Sequence, residues 1–455
     1  MKKIENRAFL CRILAAVLAV GVGFFVLLFF IKGGGWASSA FNRHLYNNAG
    51  QLASGAVLDR DGDALSTAAD GKRTYYDSDT VRKATLHAVG DLYGNIGTGA
   101  LNAFADKLTG YNFLTGAYGA DKGNDLYLTI DARYNYAAYQ ALGGHSGAVG
   151  VYNYKTGEIL CMVSAPSYDP LNVPKDIETN EKYEGAYVNR FLSSTFSPGS
   201  TFKTVTAAAA IETMPDLFTR TFSCAGSAQV GGDVVTCTRA HGDQDIYAAL
   251  THSCNIAFAQ LAVELGPKVM EKYTEKAGLT TSYSVSGLPT AKGTFDFANA
   301  TENQLGWSGV GQYHDLVNPC ALMVYMGAIA NGGKAAVPQI VLKATTPKGV
   351  PTALYFKRNT KTLIDSGTAQ TLAEMMRRNV TENYGTKRFP NLDICAKSGT
   401  AETAADQKAH AWFAGFLRNE DAPYAFVVLV EKGGGGASVA GTVAGKVLDA
   451  MVNGY

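Results

Sequence analysis

Ser200-Thr201-Phe202-Lys203 opens an alanine-rich stretch, and a helical spacing of three puts the serine and lysine side chains on one face. The chemistry open to such a pair is nucleophilic acyl transfer, in which a base takes the serine proton and nearby N–H donors hold the developing oxyanion. Burial of Lys203 would disfavour its ammonium and leave a neutral amine able to act as that base. A single SxxK arises easily by chance in 455 residues, where it would be a helix-start serine beside a solvated lysine. Two later elements change the balance. Ser253-Cys254-Asn255 is the only SxN in the chain, and Lys397-Ser398-Gly399-Thr400 falls on a predicted strand. Alone, the first would be a polar turn or cap and the second a strand end; their order after Ser200 is what makes a set. Lys155-Thr156-Gly157 imitates the third element, but it precedes the serine and lies between two apolar runs, so it is expected to be a turn.

The elements that must hold these residues are legible in the same stretches. TFKTVTAAAAIETM favours a largely buried helix, with Ser200 at its start. From Leu126, LYLTIDARYNYAAYQAL passes from strand-like alternation to helical spacing, and the runs 147–153 and 158–163 read as a hairpin around Tyr154-Lys155-Thr156-Gly157. Residues 392–402, 409–417 and 424–431 are strand-like with short links, which favours antiparallel pairing. ASVAGTVAGKVLDAMV then suits a terminal helix lying on the sheet.

Upstream, residues 41–124 read as a small accessory region, in which GAVLDRDGDAL forms a hairpin around Asp61-Gly62. Residues 13–31, ILAAVLAVGVGFFVLLFFI, carry no charge and are long enough to cross a bilayer. Lys2, Lys3, Arg7 and Arg12 precede them and only Lys32 and Arg43 follow closely, so residues 1–12 are expected in the cytoplasm and the rest outside. A signal peptide cleaved near Ser38-Ser39-Ala40 is the competing reading, but the apolar run exceeds the ~7–15 residues usual there. A flexible Gly33-Gly34-Gly35 is expected to follow the anchor. Forty basic against thirty-nine acidic residues exclude the broad positive field of a nucleic-acid partner. Cys224 and Cys237 flank a glycine-containing stretch and are either a bridged loop or two thiols. With neither HExxH nor CxxC, no zinc site is expected, and Cys254 reads as a small buried filler or a reactive thiol.

SxxK, an SDN-type triplet and KTG form the joint signature of class A β-lactamases and penicillin-binding proteins, and Ser200-to-Lys203, Ser253-Cys254-Asn255 and Lys397-Ser398-Gly399 follow it in order. From about Leu126 onward the chain resembles the transpeptidase domain of class B penicillin-binding proteins. The resemblance extends to Asn189-Arg190, FSPGSTFKT, HGDQDIYAALTHSCNIAF, GQYHDLVNP, ANGGKAAVP and AKSGTAE, all in family order, and to GAVLDRDGDAL in the accessory region. It implies an α/β (α+β) serine transpeptidase/β-lactamase-like fold, a mainly antiparallel sheet flanked by helices, covering residues 125–455. It also implies that Ser200 attacks the carbonyl between two D-alanines of a peptidoglycan stem peptide, with Lys203 as base. Ser253 would relay a proton to the leaving amine, Asn255 would orient Lys203 and the substrate amide, and Lys397 would supply positive potential. Ser398, Gly399 and Thr400 would form the substrate-binding edge, two hydroxyls holding the terminal carboxylate. The N–H groups of Ser200 and Thr400 would make the oxyanion hole. The implied partners are stem peptides, β-lactam antibiotics and a membrane glycan polymerase of the shape, elongation, division and sporulation family; no cofactor, metal or nucleic acid is implied. Hydrolysis of the same acyl-enzyme, as a carboxypeptidase or β-lactamase, is the enzymatic alternative, and a β-lactam sensor or polymerase-activating scaffold the non-catalytic one. Two features depart from the family: the accessory region is short, and Tyr313 stands where Gly-Gln-Gly is common.

Overall fold

The apolar strands pair as their short links require. In the computed structural model, which describes residues 2–37, 54–69, 72–110, 123–403 and 407–454, five strands form one antiparallel sheet. Their order is Ile394–Ala401, His410–Leu417, Tyr424–Val430, Gly147–Asn153 and Ile159–Ala165. Tyr424–Val430 is central: Val427 lies opposite Ala414 on one side and Gly150 on the other. The segment between Ala165 and Ile394 is therefore inserted between strands of a single sheet. These strands read as nearly continuous apolar runs because both faces are covered. On one face Val149, Val151, Phe413 and Phe426 pack with helices Ala132–Leu142 and Gly441–Val452. On the other, Tyr152, Trp412 and Leu429 share a core with helix Pro319–Ala330, which is buried from Pro319 to Ile329.

The inserted segment carries the helices that face the edge strand. Helix Lys203–Thr213 is buried from Lys203 through Ala210 and packs on helix Asn255–Lys276. Its run of alanines lets neighbouring backbones come close without large side chains to accommodate. The turn at Lys155-Thr156-Gly157 is present: Asn153 Oδ1 accepts from the N–H groups of Lys155 and Thr156, and Gly157 takes a positive φ of 92°.

A second sheet of six strands runs Pro351–Leu354, Val341–Thr345, Asp125–Leu128, Val57–Leu58, Ala64–Ala69 and Lys72–Tyr75. The expected hairpin is there, with Asp59 Oδ1 accepting from the N–H groups of Asp61, Gly62 and Asp63. This sheet draws strands from both sides of the expected boundary at residue 125, so accessory and C-terminal parts share hydrogen bonds. Parts of the accessory region, 41–53 and 111–122, and the small residues at 38–40 lie outside the described residues. Helix Lys2–Ala37 contains an apolar stretch, Ile4–Gly33, long enough to cross a membrane, and its most apolar window is left unburied by the rest of the chain. The helix continues through Gly33-Gly34-Gly35, where a flexible link was expected. Glycine weakens a helix by only about 1 kcal/mol per residue relative to alanine, and a long apolar helix carries that.

Candidate active site

Ser200 lies in a 3₁₀ turn, Gly199–Thr201, immediately ahead of helix Lys203–Thr213, so the α-helix begins slightly later than its alanine-rich run suggests. Gly199 has a φ of 51°, and a Cβ there would lie 2.8 Å from the carbonyl oxygen of Thr400. On the facing strand a Cβ at Gly399 would lie 2.6 Å from the carbonyl oxygen of Pro198. The two glycines let the turn bearing Ser200 meet the strand bearing Lys397 at backbone distance. Trp412 Nε1 donates to the carbonyl of Ser197 at 2.9 Å and ties the next strand to the same loop.

Lys203 and Lys397 are both fully buried. Lys203 Nζ donates to Asn255 Oδ1 at 2.7 Å and to the Ser253 carbonyl at 2.7 Å, and it lies 3.0 Å from Ser200 Oγ and 3.2 Å from Ser253 Oγ. Lys397 Nζ reaches the same Ser253 Oγ at 2.9 Å and its neighbour's carbonyl, Ser398 O, at 3.0 Å. Ser253 Oγ thus bridges two lysines. Loss of hydration on burial pulls Lys203 down to about 7, opposed by the charges of Cys237 and Cys254. Burial also pushes Lys397 well below the usual lysine range, and the neighbouring Lys203 adds to that effect. Two ammonium groups sharing one hydroxyl repel each other, so a neutral member is favoured.

Ser253 owes its position to a helix end. Helix Ile246–Thr251 stops, Ser253 turns left-handed with a φ of 55°, and helix Asn255–Lys276 starts two residues later. Ser253 N–H donates to Leu250 O and Cys254 N–H to Ala249 O, the paired bonds of a Schellman motif. A serine in place of the usual glycine costs about 1 kcal/mol or more there, a strain tolerated where surrounding contacts over-determine the backbone. Here the contacts are the lysines held by its carbonyl and hydroxyl.

The structure therefore brings Ser200, Lys203, Ser253, Asn255 and Lys397 into one connected network, with Ser398, Gly399 and Thr400 on the edge strand beside it. Ser398 is half-buried and Thr400 exposed. One contributor has no signal in the motifs: Tyr384, from the π-helical turn Asn379–Tyr384. Its hydroxyl accepts from the N–H of Ser398 at 2.9 Å and from Ser398 Oγ at 3.0 Å, which orients that side chain. Tyr384 lies in no family block and meets Ser398 only through the fold. Tyr313 is half-buried, with a φ of 70°, and its ring lies 4.0 Å from that of His314. The positive φ is why glycine suits that position. Cys224 and Cys237 are separate thiols, and the fold gathers them with His241 and Cys254 behind Ser253.

A serine on a tight turn, a desolvated lysine beside it and a polar strand edge are the parts that a serine acyltransferase requires. The family model for the penicillin binding protein transpeptidase domain matches residues 147–449, and the chain belongs to that family, as a class B penicillin-binding protein. It is 29% identical over 378 residues to the peptidoglycan D,D-transpeptidase PbpA of Mycolicibacterium smegmatis, covering 75% of this chain and 74% of that protein. The Mycobacterium tuberculosis PbpA is also 29% identical, over 73% of each chain. Among solved structures, penicillin-binding protein A from M. tuberculosis in its ceftriaxone acyl-enzyme complex superposes with a TM-score of 0.78 at 24% identity, over 88% of this chain and 98% of that one. A D,D-transpeptidase domain from Eggerthella lenta gives 0.76 at 25% identity, with 88% and 98% covered.

Proposed function

We propose that the chain cross-links peptidoglycan as a D,D-transpeptidase, with Ser200 as the acylated nucleophile. The observation that carries this is the wholly buried Lys203 amine 3.0 Å from Ser200 Oγ, linked through Ser253 to Lys397. Ser200 Oγ attacks the carbonyl of the penultimate D-alanine of a stem peptide while neutral Lys203 takes its proton. The N–H groups of Ser200 and Thr400 hold the oxyanion. Collapse breaks the peptide C–N bond, and a proton passed through Ser253 lets the terminal D-alanine leave as an amine. Asn255 keeps Lys203 aimed, Lys397 holds the Ser253 hydroxyl that passes the proton, and Ser398, Gly399 and Thr400 receive the terminal carboxylate. An acceptor amine from a second stem peptide then attacks the ester and releases Ser200. β-Lactams trap the first half of this sequence, as the acyl-enzyme of the M. tuberculosis relative illustrates.

We read residues 1–12 as cytoplasmic, 13–31 as the membrane anchor, 41–124 as the accessory region and 125–455 as the transpeptidase, held outside the membrane. The basic residues before the apolar helix support that orientation. A membrane glycan polymerase is the proposed partner of the accessory region, on the family resemblance.

Labelling with fluorescent penicillin tests the nucleophile: the intact chain forms a covalent adduct at Ser200, and Ser200→Ala forms none. Undiminished labelling of Ser200→Ala overturns the assignment. A stem-peptide substrate supplied with and without an amine acceptor tests the transfer step. Cross-linked product supports transpeptidation, and release of acid at the same rate in both cases would make the protein a carboxypeptidase.

A further inference from the structure

Behind Ser253 three separate stretches converge. Cys224 ends the strand Phe222–Cys224, Cys237 follows the hairpin of Ser227–Val230 and Asp233–Thr236, His241 precedes the strand Gly242–Gln244, and Cys254 stands between Ser253 and Asn255. The ligand atoms of these four residues all lie within 4.8 Å of one another. His241 Nδ1 is 3.4 Å from Cys224 Sγ and 3.5 Å from Cys237 Sγ. Around a tetrahedral ion with metal–sulfur bonds of about 2.3 Å and a metal–nitrogen bond of about 2.0 Å, sulfur and nitrogen stand roughly 3.5 Å apart. The observed separations are close to that. We propose that Cys224, Cys237, His241 and Cys254 bind one Zn²⁺ as a Cys₃His site.

The donor set selects the ion. Three sulfurs and an imidazole suit zinc and leave no oxygen ligands for calcium or magnesium. Four protein ligands close the coordination sphere, so the ion is structural and holds no reactive water. Binding displaces three thiol protons, and the metal takes three thiolates and the lone pair of His241 Nδ1. The surroundings already hold the ligands in place. Asn255 N–H donates to Cys237 Sγ at 3.3 Å, Cys237 N–H to Gly226 O at 2.9 Å and His241 N–H to Cys224 O at 3.0 Å. The His241 ring stacks on that of His252 at 5.2 Å. A disulfide between any two of the three cysteines would leave the third unpaired, whereas a metal engages all of them.

The site also acts on the reacting groups, and this consequence rests on the transpeptidase reading whereas the metal assignment does not. Ligation of Cys254 fixes the link that holds Ser253 in its left-handed conformation and starts Asn255 on its helix. Asn255 Nδ2 donates to Thr236 O at 2.9 Å while its Oδ1 accepts from Lys203. Zinc clamps the hairpin carrying Thr236 and Cys237 to this link, making the four ligands positioning residues for Asn255 and Ser253.

Elemental analysis of the full-length chain, purified in detergent without added metal, tests the site directly. About one zinc per chain is expected, with near-complete loss in Cys237→Ser and His241→Ala. Native alkylation should spare the cysteines until a chelator removes the metal. Zinc well below one per chain, or a disulfide among Cys224, Cys237 and Cys254 by mass spectrometry, overturns the proposal without reference to any variant's folding. Removing zinc should slow fluorescent-penicillin acylation by about tenfold or more, and Zn²⁺ should restore it. Stoichiometric zinc whose removal leaves acylation unchanged overturns the positioning role alone. Labelling of Ser200→Ala would instead sink the nucleophile assignment and leave the zinc count untouched.

Discussion

Lys203 must be neutral to take a proton from Ser200, and its burial sets the pH at which that holds. With the folded pKa lowered to about 7, the neutral form grows as pH rises through that value. Acylation by penicillin at pH 8 should therefore be about tenfold faster than at pH 6, measured under non-saturating conditions; a flat profile would remove Lys203 as the base. The stability linkage has the same sign. The unfolded lysine binds more protons than the folded one between about 7 and its ordinary 10.5, so Lys203 contributes stability that increases with pH across that window. Lys203→Arg keeps a cation that cannot deprotonate in a protein, and should lower acylation by roughly 10²–10⁴-fold. Tyr384→Phe leaves the Ser398 N–H and hydroxyl without their shared partner at a cost of about 1–3 kcal/mol. Its expected signature is weaker substrate capture with Ser200 still labelled, read from the concentration dependence of acylation.

At the scale of elements, the site depends on how closely a turn and a strand approach. Gly199 and Gly399 face each other's backbones, so a methyl group at Gly399, 2.6 Å from Pro198 O, has to push the strand from the turn. Gly399→Ala should slow acylation by about 10²-fold, since displacements near 1 Å carry such penalties. Labelling kinetics beside a thermal melt would distinguish this from global unfolding, and unchanged kinetics would show that the approach is not needed. The order of motifs, the antiparallel strands and the terminal helix were legible because each rests on local periodicity. The Schellman link that places Ser253 was not, since nothing in Ser-Cys-Asn specifies a left-handed serine.

At the scale of the molecule, the apolar helix Lys2–Ala37 supplies none of the residues of the network around Ser200. Removing residues 2–37 should move the protein from the membrane to the soluble fraction while Ser200 still takes up penicillin, measured by fractionation and gel fluorescence. Loss of labelling in a folded truncation would show that the helix supports the site. The sequence by itself singled out Ser200 as the candidate nucleophile, Lys203 beside it, the later motifs and the strands, because covalent spacing and apolar periodicity are local properties of a chain. It also sufficed to set aside Lys155-Thr156-Gly157, on its order and its place between two apolar runs. Only tertiary structure decided that Ser253 joins two buried lysines, that Tyr384 steers Ser398, that one sheet crosses the boundary at 125, and that three cysteines meet His241. A search for CxxC pairs misses that cluster because its ligands come from a strand end, the connection after a hairpin and a helix start, spaced C-x12-C-x3-H-x12-C. Desolvation and ligand convergence depend on what surrounds a residue in space, and no spacing along the chain encodes that.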